Sequence, residues 1–212
     1  MEIICGTGDT LAPGITNALA AYRYRVFVET LGWDLPVQGN AETDEFDGPH
    51  TMYVIARNER GEICGCARLL PTTGSYLLAK VFPQLLQEAP PVGSDVWELS
   101  RFASMDCGAP DRLSHQELKV AEQLLAAALE HAAKRGVKRF ITVSPLGVER
   151  LLRRAGVHAH RAGPPVAVNG QHLFACWIEV DRQSIHALRQ GLGHQAPVAP
   201  TKAPVSGPQL PA

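Results

Sequence analysis

The stretch TMYVIARNERGEICGCARL, residues 51–69, decides the fold. Its flanks, 51–56 and 62–69, are short runs of β-branched, aromatic and other apolar residues, and Asn58-Glu59-Arg60-Gly61 between them is turn chemistry. The reading is an antiparallel hairpin. Upstream, residues 13–31 carry Ile15, Leu19, Tyr22, Val26 and Phe27 at near-helical spacing, with Gly32 as a stop. Downstream comes a short apolar helix at 78–86, and then VWELSRF from Val96 reads as a strand. Ser114 and Glu117 form a capping box for a helix whose stripe is Leu118, Ala121, Leu125, Ala128 and Ala132, closed by Gly136. A strand at 137–143, a helix at 147–155, strands at 157–160 and 172–180 and a short helix from Ser184 complete the pattern. A hairpin followed by alternation predicts an α/β fold, a single α/β/α sandwich with a mixed sheet. No internal repeat is visible.

At 212 residues the chain suits one domain, and 45% hydrophobic with 19% charged residues is ordinary for a soluble globule. The formal net charge of -1 excludes a global basic field, so no nucleic-acid partner is expected. Five cysteines form no framework, and Cys64-Gly65-Cys66 lacks the second pair of a structural zinc site. No metal is expected, and the thiols read as free in a reducing cytoplasm. The amino terminus does not resemble a secretory signal, and no apolar run of about 18 residues suggests a membrane span. Residues 191–212 are rich in Pro, Gly, Gln and Ala, a composition that predicts a disordered tail after a domain at 1–190.

The chemistry is concentrated in charged residues set beside aromatics. Arg23 lies in RYRVFVETLGW with Phe27 and Trp33, Asp44 and Asp47 in ETDEFDGPH, Arg68 in CGCARLLP, and Glu98, Ser100, Arg101 and Phe102 in VWELSRF. Buried charge is costly unless paired, so such a set beside apolar strands suggests a site for a zwitterionic, partly cationic small molecule. Each cluster also has a plain reading. The plain reading of the acidic loop, with Glu42 and Glu45, is solvated surface, and it lacks the spacing of a calcium loop. Arg68 shares a strand face with Cys64 and Cys66, where it serves either a structural salt bridge or a ligand. Glu98 and Arg101, three apart, point to opposite faces of a regular strand. Their convergence requires a β-bulge or strand end, which would also free backbone N–H groups to polarise a carbonyl. In GVERLLRRAG, Arg150, Arg153 and Arg154 oppose an apolar face, as on any surface helix, and would also suit an acidic protein. His158 and His160 share a strand face, a thin basis for a metal site.

The ordered set Arg23-x3-Phe27-x5-Trp33, Asp44-x2-Asp47, Arg68, Phe82 and Glu98-x2-Arg101 resembles that of the acyl-homoserine-lactone synthases, over about residues 1–185. The resemblance implies a GNAT-like acyltransferase fold and quorum-sensing signal synthesis. It implies S-adenosylmethionine as a substrate rather than a cofactor, and acyl carrier protein as the acyl donor. The amine of S-adenosylmethionine is acylated, and the lactone then closes with release of methylthioadenosine. Within this resemblance Glu98 is the expected general base, and Arg101 and the backbone near Ser100 complete the catalytic set. Arg23, Phe27, Trp33, Asp44, Asp47, Arg68 and Phe102 are expected to hold S-adenosylmethionine. Phe82, Thr142, Val143, Ser144, Leu151 and Leu152 are expected to wall the acyl chain. Arg150, Arg153 and Arg154 are expected to dock the carrier. The match of CGCARLLPTT and VWELSRF to synthases of medium, unsubstituted chains points to about eight carbons. The alternatives are a GNAT enzyme using acyl-CoA and a sensor that binds S-adenosylmethionine without turnover. The first is disfavoured by MDCGAPDRLSHQELK, which has one glycine where a CoA pyrophosphate loop needs several.

Overall fold

The computed structural model describes residues 1–105, 107, 115–168 and 170–191. In chain order the elements are β1 (Glu2–Thr7), α1 (Ile15–Arg23), β2 (Val37–Gln38), β3 (Ala41–Glu42), β4 (Met52–Arg57), β5 (Ile63–Pro71), α2 (Leu77–Val81) and β6 (Val96–Ala103). They continue as α3 (His115–Ala133), β7 (Arg139–Pro145), α4 (Gly147–Arg154), β8 (Ala159–Arg161), β9 (Val166–Val168), β10 (Gln171–Glu179) and α5 (Arg182–Gly191). The hairpin forms as β4 and β5, with Tyr53 opposite Arg68 and Ile55 opposite Cys66.

Among the described residues one eight-stranded sheet runs β1-β4-β5-β6-β7-β10-β8, with β9 also paired to β10, and β2–β3 makes a separate ribbon. Every pair in the large sheet is antiparallel except β6–β7, which are joined through α3 as a parallel pair must be by a crossover. Helices cover both faces. On one, Val54, Leu69, Leu99, Phe140 and Phe174 pack with Leu124 and Leu129 of α3 and Leu188 of α5. On the other, Tyr53 and Ile55 meet Leu19, Tyr22, Val26 and Phe27, while Leu70, Ile141 and Ala175 meet Leu78 and Leu85. Burying sheet faces of this size is the main driving force of the fold. No helix among the described residues is long and apolar enough to cross a membrane.

Several expectations are corrected. The first helix is α-helical only to Arg23 and continues as a π-helical turn over Tyr24–Thr30, which rotates Phe27 against Trp33. The helix expected at 78–86 breaks after Val81, because Phe82 precedes Pro83 and leaves the helical region, at φ -127 and ψ 37, before a short 3₁₀ turn. Leu118 of α3 is 36% exposed, and the inward face includes Val120, Leu124, Leu125, Ala128, Leu129 and Ala132. Small alanines let α3 bury a wide arc between the sheet and α5, and this moves the stripe. Cys64 does not share the face of Cys66. An irregularity in β5 opposite Ala56/Arg57 sends Cys64 toward α3 and leaves Cys66 and Arg68 facing α1. β1, β2, β3 and β9 escape prediction because short or half-exposed strands carry little alternation. Ser114 of the capping box, most of the acidic connection from 106 to 114 and the tail from 192 lie outside the described residues.

Candidate active site

The acidic loop folds around its own carboxylates. Asp44 Oδ1 accepts the Phe46 N–H at 2.9 Å, an Asx turn, and Asp47 Oδ2 accepts the Asp44 N–H at 2.9 Å. β3 delivers Glu42 beside them, and residues 42 and 44, two apart in an extended segment, come to one side. Only Glu45 turns outward, to a surface pair with Lys80. Three arginines from separate elements converge on Glu42, Asp44 and Asp47. Arg23 of α1 donates Nε to Glu42 at 2.5 Å and both terminal nitrogens to Asp47 at 2.8 and 2.9 Å. Arg68 of β5 donates Nη1 to Asp44 at 2.5 Å and to Asp47 at 3.1 Å, and Nε to the Ser100 hydroxyl at 3.1 Å. Arg101 donates Nη2 to Glu42 and Asp44, both at 2.9 Å. Tyr53 donates its hydroxyl to Asp47 at 2.8 Å.

The approach of Arg101 depends on a distortion of β6. Cys66 pairs with Ala103 but Arg68 pairs with Ser100, so Arg101 and Phe102 oppose Ala67 alone. Arg101 adopts φ +50, the one positive φ among described non-glycine residues, a conformation costing about 1–2 kcal/mol. This is the required bulge. It puts Arg101 on the same face as Glu98 and Ser100, while Phe102 packs into the α3 cluster on the opposite face. Glu98 is 1% exposed and its carboxylate accepts the N–H groups of Leu77 at 3.0 Å and Leu78 at 2.6 Å, opening α2. The nearby Ser100 hydroxyl also favours the ionised Glu98 carboxylate. A continuous chain of hydrogen bonds joins Ser100, Arg68, Asp44, Arg101, Glu42, Arg23 and Asp47, and Glu98 lies two residues along β6 from Ser100 on the same face.

Arg68 and Glu42 are fully buried and Arg23 nearly so. An isolated ion so placed costs several kcal/mol, so mutual pairing is what makes the cluster tolerable. Burial opposes charging of Asp47, but the Arg23 guanidinium overrides it and holds the carboxyl well below its usual range. Arg23 in turn is raised by Asp47 and Glu42 against the same desolvation. Glu98 goes the other way: burial raises it, and the Leu78 and Leu77 N–H groups offset only part of the rise. Ionised, three guanidiniums face four carboxylates, one negative charge in excess. Arg68 Nη2 is buried without a hydrogen-bond partner.

β6 and β7 pair only at Val96–Arg139, Trp97–Phe140 and Glu98–Ile141. Beyond Glu98 the two strands run on without pairing to each other, which opens a gap in the sheet beside Ser100 and Arg101. Of the expected acyl-chain residues, Val143 and Phe82 lie on the Glu98 face. Thr142 and Ser144 sit opposite Cys176 and Phe174 on the α3 face, and Leu152 packs there too. Leu151 is 42% exposed. Period-two alternation along β7 splits the set, so its two halves meet only across the gap. Phe27 stacks on Trp33 at 5.0 Å and carries Arg101 over its ring at 5.7 Å, so this pair supports the network as well as offering a half-buried Trp33 face. A cavity of about 210 Å³ touches the cluster at Arg23, Asp47 and Tyr53, without Glu98 or Arg101. The sequence reading missed Glu42 and Tyr53 as members of the site. The two-residue offset of Glu42 from Asp44 was the available signal.

On α4, Arg153 pairs with Glu149 at 2.8 Å, and Glu149 also takes Arg161 from β8 at 2.5 Å. Arg150 and Arg154 are exposed and make no ion pair among the described residues. Arg150, Arg153 and Arg161 border a surface depression of about 350 Å³ with Leu146. No group of His, Cys, Asp or Glu among the described residues is placed to hold a metal ion.

Residues 13–188 match the autoinducer synthase family. The acyl-homoserine-lactone synthase of Acinetobacter nosocomialis is 48% identical over 183 residues, covering 85% of this chain and 100% of that protein. Among solved structures, TofI in a ternary complex with an inhibitor and MTA superposes with a TM-score of 0.79 at 46% identity, covering 89% of this chain and 97% of that one. MesI, a CoA-dependent acyl-homoserine lactone synthase, gives a TM-score of 0.78 at 27% identity, covering 92% of this chain and 97% of that one. With its sandwich, its bulged strand and its charged network in place, the chain belongs to the autoinducer synthase family, the acyltransferases known as acyl-homoserine-lactone synthases.

Proposed function

We propose that this enzyme acylates the α-amine of S-adenosylmethionine from an acyl-carrier-protein thioester and then closes the lactone. The observation that carries the reading is the buried set of three guanidiniums and four carboxylates, Glu98 included, with one negative charge in excess when ionised and Glu98 beside the β6–β7 gap. S-adenosylmethionine bears an ammonium, a sulfonium and a carboxylate, one positive charge in excess, so the two complement each other. Trp33 offers a face for the sulfonium or adenine. The unpartnered Arg68 Nη2 offers a donor for the substrate carboxylate.

Glu98 takes the ammonium proton, directly or through water, and its raised affinity for protons suits it as a base. The freed amine attacks the thioester carbonyl, an N–C bond forms, the C–S bond breaks and the carrier thiol leaves with a proton. Unpaired β6 backbone near Ser100–Phe102 polarises the carbonyl oxygen. The substrate carboxylate then attacks its own γ-carbon, displacing the sulfur as methylthioadenosine. MTA in the TofI complex accords with that product. The acyl chain runs through the gap toward Val143 and Phe82.

Incubation with S-adenosylmethionine and carrier thioesters of graded length, followed by mass spectrometry, tests the reading. Acyl-homoserine lactone and methylthioadenosine in equal amounts are expected, and the preferred chain emerges from the same assay. Methylthioadenosine without lactone, or no turnover, overturns it. Acyl-CoA as the donor is the second reading, favoured by the CoA-dependent MesI, and parallel CoA thioesters discriminate the two.

Carrier docking is assigned to α4, where exposed Arg150 and Arg154 flank exposed Leu151. Reversing both, Arg150→Glu with Arg154→Glu, should raise the carrier-thioester KM about tenfold and flatten its salt dependence, leaving the S-adenosylmethionine KM unchanged. An unchanged carrier KM would remove α4 from the docking surface.

A further inference from the structure

The Cys64-Gly65-Cys66 motif serves neither metal nor disulfide among the described residues. It lies against the bulge of β6. A Cβ at Gly65 would come within 3.1 Å of the Ala103 carbonyl oxygen and of Val120 Cγ1, so the absence of a side chain lets the distorted strand approach. One residue on, Cys66 is 1% exposed and its Sγ lies 3.1 Å from the Arg101 carbonyl oxygen. A bulge removes residues from the regular ladder, and a buried carbonyl there needs a donor. Burial pushes the Cys66 thiol up to about 12, so it keeps its proton at working pH. Tyr22 braces the chain just past this strand, accepting the Met105 N–H at 3.0 Å and donating to the Met105 carbonyl at 3.1 Å.

We infer that Cys66 is a positioning residue for Arg101: its thiol holds the Arg101 carbonyl and so fixes the left-handed bulge that turns this guanidinium toward Glu42 and Asp44. A left-handed arginine is disfavoured by its own sterics, so without the brace the peptide relaxes toward the extended region and the guanidinium leaves its carboxylates. The structural part of the inference stands independently, and its kinetic part rests on the function proposed above.

The experiment compares Cys66→Ser, which keeps a donor, with Cys66→Ala and Cys66→Val, which do not. Crystal structures of the Ala and Val variants should show Arg101 out of the left-handed region and parted from Asp44. Their kcat/KM for S-adenosylmethionine should fall roughly tenfold while the acyl-thioester KM stays within about twofold. Cys66→Ser should retain the bulge and come within about threefold of the parent, whatever its melting temperature. An unchanged Arg101 φ in either donor-less variant, or a serine variant as impaired as alanine, overturns the inference. Should Cys66→Val not fold, the alanine and serine variants decide. If the parent enzyme forms no lactone, the proposed function fails while the crystallographic comparison still judges Cys66.

Discussion

Glu98→Gln is expected to lower kcat by about 10²–10⁴-fold, the range for losing a positioned general base. The S-adenosylmethionine Kd should weaken by no more than about tenfold: the substitution removes the network's one excess negative charge, while Asp44, Asp47, the Trp33 face and the Arg68 Nη2 donor remain to hold the substrate. The substitution has a structural cost. Glu98 accepts two backbone N–H groups, from Leu77 and Leu78, and an amide oxygen accepts from one side only. The orphaned N–H costs about 1–3 kcal/mol, which urea unfolding measures separately. The pH profile supplies the sharper signature. Burial raises Glu98 above the ordinary glutamate value, so activity that needs the carboxylate falls as pH drops through a point above that value. The acid limb of kcat/KM should therefore lie higher than for a free glutamate and vanish in the variant. For stability the sign is opposite. A raised folded pKa stabilises fully below the unfolded value and loses that contribution as pH rises through the folded one. Asp47, held low by Arg23 against burial, contributes above the ordinary aspartate range and loses its contribution only in strong acid. Near-normal turnover in Glu98→Gln, with the acid limb intact, would remove Glu98 as the base.

Glu42→Gln is expected to be the most destabilising single change in the site. Glu42 is fully buried and accepts from both Arg23 and Arg101, so removing its charge leaves two buried guanidiniums sharing Asp44 and Asp47 with Arg68. Breaking a buried ionic arrangement from one side costs about 3–5 kcal/mol. The amide keeps the shape and one acceptor, which places the expected loss near the lower end, read as a shift in urea midpoint at constant slope. The same change frees Arg101 from one of its two carboxylates, so the S-adenosylmethionine KM should rise about tenfold or more. A loss below about 1 kcal/mol would mean that solvent screens the cluster far more than its burial implies.

The β4–β5 hairpin, α3, α4 and β10 were legible because each carries a local signal: turn residues, helical spacing or a β-rich run. The charged members of the site were legible for a related reason. Arg23, Asp44, Asp47, Arg68, Glu98 and Arg101 are expensive residue types set among apolar neighbours, and that cost is visible without coordinates. Glu42 was hidden because its one local signal, the two-residue offset from Asp44, is weak beside the resemblance of its surroundings to those of Glu45, three residues on. One accepts two buried guanidiniums while the other pairs with Lys80 at the surface. The acyl-chain residues were grouped by proximity in sequence, and alternation along β7 divides them between two faces.

By itself the sequence determined the element order, the apolar faces and the inventory of charges that must find partners, since these depend on residue type and short-range spacing. Only the tertiary structure decided which charges meet. The bulge at Arg101, the parting of β6 from β7 after Glu98 and the seat of Glu42 between Arg23 and Arg101 each depend on strands distant in the chain. Pairing energy between buried ions is set by ångström-scale distances, and those distances exist only once the sheet has closed.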